Sequence, residues 1–335
     1  MNNYKKIGLT ALAGSLAAIS ANAAEMSVSG ATVLTYTSEH GQVTGNPLGM
    51  KTNLGFTASG EVNGYTVSYM QTSKDQFAGM SSARLSVDMG DMGLIALDQG
   101  SGSGLSTIDD KTPTAAEEIW DGLDVTTSGR VGAVGSSGVV NYVNSFAGVN
   151  LNAAFRKGAA GSNADGASSG EGKENTGWDF ALTTSETGVE GLTVGAGYGK
   201  VNVGQKLTVT GVASGDKQDA TAFATYNIGM VSLGYQMSVE DNNVSAKGKA
   251  TGDQEADRWG VAFNINENMS VSYGEAETTF LHPSAAKVTE DVEGIAVSYT
   301  MGAVKIAGNR NEGSNMGGVA GDNDKMTEVA VSFAF

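Results

Sequence analysis

Hydrophobic and polar positions alternate along most of this chain. From Lys325 to the last residue, Val329, Val331, Phe333 and Phe335 share one parity, while Met326, Glu328, Ala330, Ser332 and Ala334 share the other. Successive side chains of a strand point to opposite faces, so this predicts a strand with one apolar face and one small or polar face. The period of two recurs upstream. Leu85, Val87 and Met89 alternate with Arg84, Ser86 and Asp88, and Leu151, Ala153 and Phe155 with Asn150, Asn152 and Arg156. Trp178, Phe180 and Leu182 alternate with Asp179, Ala181 and Thr183. Val231, Leu233, Tyr235, Met237 and Val239 alternate with Ser232, Gly234, Gln236, Ser238 and Glu240. Trp259, Val261, Phe263 and Ile265 alternate with Arg258, Gly260, Ala262 and Asn264. A soluble sandwich would bury the apolar face and charge the other densely. Here the second face is mostly Gly, Ala, Ser, Thr and Asn, as suits a water-filled lumen inside a lipid-facing wall.

The connections sharpen this. Short turns near 62–64, 90–93, 147–148, 188–191, 228–229, 266–268 and 301–302 alternate with longer polar segments. The long ones run near 38–50, 73–81, 100–130, 157–176, 202–218, 241–255, 280–290 and 311–324. Between them lie about 16 strands, each close to the roughly ten residues that a tilted membrane strand needs. Short and long connections alternate when one rim of a barrel faces the periplasm and the other the outside. The expected fold is all-β: a closed antiparallel 16-stranded transmembrane barrel over residues 24–335. Tyr65, Tyr198, Tyr235, Tyr273, Tyr299, Phe155 and Phe335 share the apolar parity, several near strand ends, as in an aromatic girdle.

The start of the chain supplies an export signal. Lys5 and Lys6 precede an apolar run from Ile7 to Ile19, and Ala21-Asn22-Ala23 forms a small-residue cleavage site. Residues 1–23 are therefore expected to be a signal peptide, cleaved before Ala24. Losing its two lysines takes the net charge from −16 to −18. There is no Cys, so disulfides play no part. No long apolar segment follows, so a helical membrane protein is excluded. The 48 glycines against 3 prolines fit an open interior or close backbone approach rather than disorder. Strong acidity argues against a nucleic-acid partner.

Residues 100–130 form a connection long enough to need either a functional reason or a disordered one. Gly100-Ser-Gly-Ser-Gly104 permits a sharp departure from the wall, and a helix start, either Pro113 in the first turn or a Thr114/Glu117 capping box, predicts a helix over about 113–123. On that helix Ala116, Ile119, Trp120 and Leu123 share an apolar face, while Glu117, Asp121 and Asp124 share an acidic one.

With its terminal Phe335, its export signal, its strand count and its long third loop, the chain resembles the general porins of Gram-negative bacteria. The mature start Ala24-Glu25-Met-Ser-Val-Ser-Gly30 and the Gly- and Asp-rich loops look most like the alphaproteobacterial porins. The resemblance implies a homotrimer in the outer membrane, with lipids around it and small hydrophilic solutes and ions passing through. It also implies that the third loop folds inward, so that Asp109, Asp110, Glu117, Glu118, Asp121 and Asp124 face basic residues across a constriction. Arg84, Arg156, Arg258 and Lys305 lie on the non-apolar parity and are the candidates for that basic wall. Because carboxylates outnumber basic residues, weak cation selectivity is expected.

Other chemistries lack their residues. Only His40 and His282 exist, both in connections expected outside, and no zinc pair or nucleophile elbow is present. Catalysis and cofactors are therefore not expected. Asp109, Asp110, Asp253, Glu255, Asp322 and Asp324 could offer oxygen ligands to Ca²⁺, but no EF-hand loop organises them. The alternative to a channel is a barrel carrying an adhesin or receptor surface.

Overall fold

The computed structural model describes residues 25–40, 45–73, 79–123, 131–132, 134–135, 137–158, 176–202, 216–241, 253–281 and 286–335. The expected signal peptide, Asp124 and His282 lie outside these residues.

Sixteen strands follow in chain order: β1 (Glu25–His40), β2 (Leu48–Val62), β3 (Tyr65–Ser73), β4 (Met80–Asp88), β5 (Leu94–Gln99), β6 (Ser137–Phe146), β7 (Val149–Arg156) and β8 (Thr176–Thr184). The second half continues with β9 (Leu192–Asn202), β10 (Lys217–Ile228), β11 (Val231–Asp241), β12 (Asp253–Asn264), β13 (Met269–Leu281), β14 (Val288–Met301), β15 (Val304–Ser314) and β16 (Asn323–Ala334). Each pairs antiparallel with its chain neighbours, and β1 pairs with β16 to close the barrel. Closure leaves no sheet edge, so the backbone groups are satisfied within the wall. The last residue takes part: Gly30 N–H donates to the Phe335 carbonyl (2.8 Å), and Phe335 N–H donates back to the Gly30 carbonyl (2.9 Å).

The parities separate cleanly. Leu85, Phe155, Trp178, Leu233, Tyr235, Trp259, Tyr299 and Phe333 are exposed on the outer face, whereas Asn141, Asp179, Thr221, Gln236 and Arg258 are buried on the inner one. Toward the long-connection end of β12–β15 the outer face changes character. Asp257, Glu275, Glu277, Asp291, Glu293 and Glu312 follow the apolar residues on the same parity. Aromatic groups cap this transition. Tyr235 donates to Asp257 (2.5 Å), Tyr273 to Glu275 and Glu293 (2.7 Å each), and Trp259 Nε1 to Glu275 (3.3 Å). Each ring thus keeps its body on the apolar band and its polar tip among carboxylates.

The helix expected over 113–123 is absent; residues 111–123 form bends and turns. Helical bonds within the segment are replaced by bonds to the wall. Ser272 Oγ takes the Ala115 N–H (2.8 Å), and Asn311 Nδ2 donates to the carbonyls of Glu118 (3.1 Å) and Asp121 (2.8 Å). Crowded carboxylates would also weaken a helix here by a few tenths of a kcal/mol per like-charged pair. Trp120 and Leu123 are buried as expected, and Ala115 rather than Ala116 is buried with them, while Glu117 is exposed.

Candidate functional site in the barrel lumen

β5 ends at Gln99, and Gly100 and Gly102 adopt positive φ as the chain leaves the wall. A short 3-10 turn over Gly104–Ile108 then lies on β7–β9. Gly104 has φ of 57°, and a Cβ there would sit 1.7 Å from Asp179 Oδ1, so the backbone approaches as only glycine allows. Asn152 Oδ1 takes the Gly104 N–H (2.7 Å), and Asp179 Oδ1 takes the Leu105 N–H (3.0 Å). The other oxygen of Asp179 takes the Val134 N–H (2.8 Å) from the returning limb. One buried wall carboxylate thereby holds both limbs of the connection.

Beyond Ile108 the segment crosses the inner face toward β16. Gln236 donates to the Ile108 carbonyl (2.7 Å) and accepts from the Lys111 N–H (2.8 Å). Gly234, Gly260, Gly274 and Gly294 stand in register on β11–β14, ending at Asn311 on β15. They form a trough. A Cβ at Gly234 would meet Pro113 Cδ at 2.4 Å, and one at Gly294 would meet Ile119 Cβ at 2.9 Å. At the far end Trp120 and Leu123 pack with Ala276, Val292, Met316 and Met326, and Ile119 lies against them. All these wall partners belong to the parity opposite the exposed apolar one, so the segment lies on the inner wall from β7 to β16.

The carboxylates lie along this segment. Asp110 and Glu117 are exposed, while Asp109, Glu118 and Asp121 are half-buried. Asp109, Asp110, Glu118 and Asp121 line a cavity of about 340 Å³ with Trp120, Gly122 and Leu123. Burial raises the pKa of Asp109, helped by the charge of Asp110. Burial also raises that of Glu118, with Asp110, Glu117 and Asp121 adding to it. For Asp121 burial again dominates, opposed by Lys51 and by the Gly122 N–H. Glu328 on β16, held by Thr37 Oγ1 (2.8 Å), is within electrostatic reach of Asp121 and Glu117.

The three arginines expected on a basic wall lie on the inner parity, Arg84 and Arg156 half-buried, and each meets the segment or one of its limbs. Arg84 Nη2 donates to Asn141 Oδ1 (2.6 Å), and its Nη1 reaches the Gly102 carbonyl (3.4 Å). Arg156 packs against Gly135 of the returning limb, where a Cβ would lie 1.8 Å from Nη1. Arg258 is 1% exposed, covered by the segment rather than open to the lumen. Lys305 lies on the inner parity next to the short Met301–Val304 turn, and no bond joins it to the segment among the described residues. Lys111 of the segment itself acts on Asp109, and the wall residue that acts on Asp121 is Lys51, on the inner parity of β2 opposite Val33. Its signal was available in sequence, since Lys51 alternates with Met50 and Thr52 in a strand of clear period. Among the described residues, no group of three or more His, Cys, Asp or Glu side chains is placed to hold a metal ion.

No protein-family model and no curated protein matches the sequence. Solved structures do match. OmpF of Salmonella typhi, in complex with daunomycin, aligns with a TM-score of 0.68 at 13% identity, covering 94% of this chain and 99% of that one. An anion-selective porin of Comamonas acidovorans aligns at 0.64 and 13%, covering 93% and 100%. OmpT of Vibrio cholerae, an outer membrane protein solved in a trimer form, aligns at 0.64 and 12%, covering 93% and 100%. The fold is the porin fold. At these identities the likeness is one of architecture, so the porin fold frames the site while the chemistry rests on this chain's own residues.

Proposed function

We propose that this protein is an outer-membrane porin, a water-filled channel through which ions and small hydrophilic solutes diffuse passively with weak preference for cations. The reading includes export with loss of residues 1–23 and assembly as a homotrimer, as in the trimer form of the Vibrio cholerae protein. The observation that carries it is the acidic segment laid along the inner wall of a closed barrel. Five carboxylates, Asp109, Asp110, Glu117, Glu118 and Asp121, lie along that segment, with only Lys111 acting on Asp109 and Lys51 on Asp121 among the causes that shift them, and on this reading they face the pore. In a narrow, poorly polarisable throat such charges act on passing ions before salt screens them over about 8 Å. The Comamonas porin is anion-selective, so the shared fold leaves the sign of selectivity to the lining residues.

Planar-bilayer recording tests this directly. Large open steps are expected, with a reversal potential in a salt gradient that favours cations. A protein that inserts as a barrel yet gives no steps is a surface receptor or adhesin instead.

A further inference from the structure

We infer that Arg258 is a positioning residue, fastening the acidic segment in the shape that sets selectivity, rather than a basic residue of the pore wall. The inference deepens the porin reading and rests on it. Arg258 extends from the inner face of β12 and is 1% exposed. Its Nη2 donates to the Asp109 carbonyl (2.7 Å) and reaches Ser238 Oγ (3.3 Å), while its Cζ lies 5.3 Å from the centroid of the Trp120 ring. Asp109 and Trp120 are eleven residues apart, and no helix joins them. One guanidinium therefore ties both ends of the excursion that carries Asp110, Glu117 and Glu118. The ends do meet on the lumen side, where Asp110 acts on Glu118 and both line one cavity.

The chemistry demands arginine. A planar guanidinium donates to a carbonyl and a hydroxyl in its plane while its face rests on an indole. The ammonium of lysine is a compact, strongly hydrated charge without that flat face. The position keeps the charge beneath the backbone rather than among the passing ions, and the carbonyl, the hydroxyl and the ring offset part of its desolvation. Loosening this fastener should spread the carboxylates and weaken the field they make together.

Two variants and two readouts test it. Arg258→Lys keeps the charge and loses the fork; Trp120→Leu keeps the charge and loses the ring. Both are expected to move the cation-to-anion permeability ratio toward unity and to raise open-channel noise. In a Trp178→Phe/Trp259→Phe background Trp120 is the sole indole, and Arg258→Lys should increase its quenching by acrylamide. Wild-type permeability ratio and wild-type quenching in Arg258→Lys overturn the inference. So does a loss of assembled protein with an unchanged ratio in the channels that form, because that marks a role in folding alone. If Arg258→Lys does not assemble, Trp120→Leu carries the test, and a wild-type ratio in that variant overturns the inference. A wild-type protein that inserts without conducting overturns the porin reading alone, and the quenching experiment still decides the place of Arg258.

Discussion

At the residue scale, the carboxylates of the segment differ in how readily they hold charge. Asp109, Glu118 and Asp121 have pKa values raised chiefly by burial. A raised pKa means that the proton binds at a higher pH than on a free carboxylate, whose pKa is about 4. As pH falls, these three groups lose their charge first, while fully solvated carboxylates remain ionised. Cation preference should therefore decline on acidification with a midpoint above about 4, read as reversal potential against pH. A midpoint at or below that value would show that these three groups do not set the selectivity. Substitution gives a complementary expectation. Glu117→Gln with Asp121→Asn should lower the cation-to-anion ratio, and Lys51→Gln should raise it. An unchanged reversal potential in the double variant means that the acidic side does not face the conducting path.

At the scale of elements, the segment over 104–123 borrows its shape from the wall. Its backbone bonds go to Asn152, Asp179, Gln236, Ser272 and Asn311, side chains of five separate strands. The row Gly234, Gly260, Gly274 and Gly294 supplies the room for it to lie close. Gly234→Ala should lift Pro113 off the wall and lower single-channel conductance, because a Cβ at that position would sit 2.4 Å from Pro113 Cδ. Wild-type conductance in that variant would show that the trough is not the seat of the segment. Gly104→Ala should cost about 1–2 kcal/mol through its left-handed backbone alone, with the clash against Asp179 added. Denaturant unfolding of the refolded protein in detergent measures that cost.

For the whole molecule, the facing of the wall decides how it sits in a bilayer. Val261 and Val331 lie on the outer parity of β12 and β16, in register with Leu233 and Leu34 respectively. Arg at either position should cost roughly 2–4 kcal/mol near the bilayer midplane. Normal folding of both variants into vesicles would reverse the assignment of inside and outside. The carboxylates on the outer face of β12–β15 limit the apolar band on that side. Arg310 belongs with them, exposed and ion-paired with Glu312. They place the hydrocarbon boundary near the level of Tyr235, Tyr273 and Trp259, where an interfacial aromatic girdle belongs.

The strands were legible from the chain because their signal is local. A period of two and turns of two to four residues need only neighbours in sequence, so strand number, facing and the alternation of short and long connections could all be read. The start of the long connection was legible for the same reason, through Gly100, Gly102 and Gly104. Its conformation was not. A Pro and a capping box favour a helix locally, but Ala115 bonds to Ser272, Leu105 to Asp179 and Glu118 to Asn311, partners separated by 157, 74 and 193 residues. The same holds for the arginines. Parity placed Arg84, Arg156 and Arg258 on the inner face, while the packing of a distant segment decided whether each guanidinium meets the lumen or the backbone that crosses it. Lys51 shows the converse: alternation already set its face, and only closure of the barrel brought it within reach of Asp121. Local periodicity thus determined the wall, and contacts across the closed barrel decided the site.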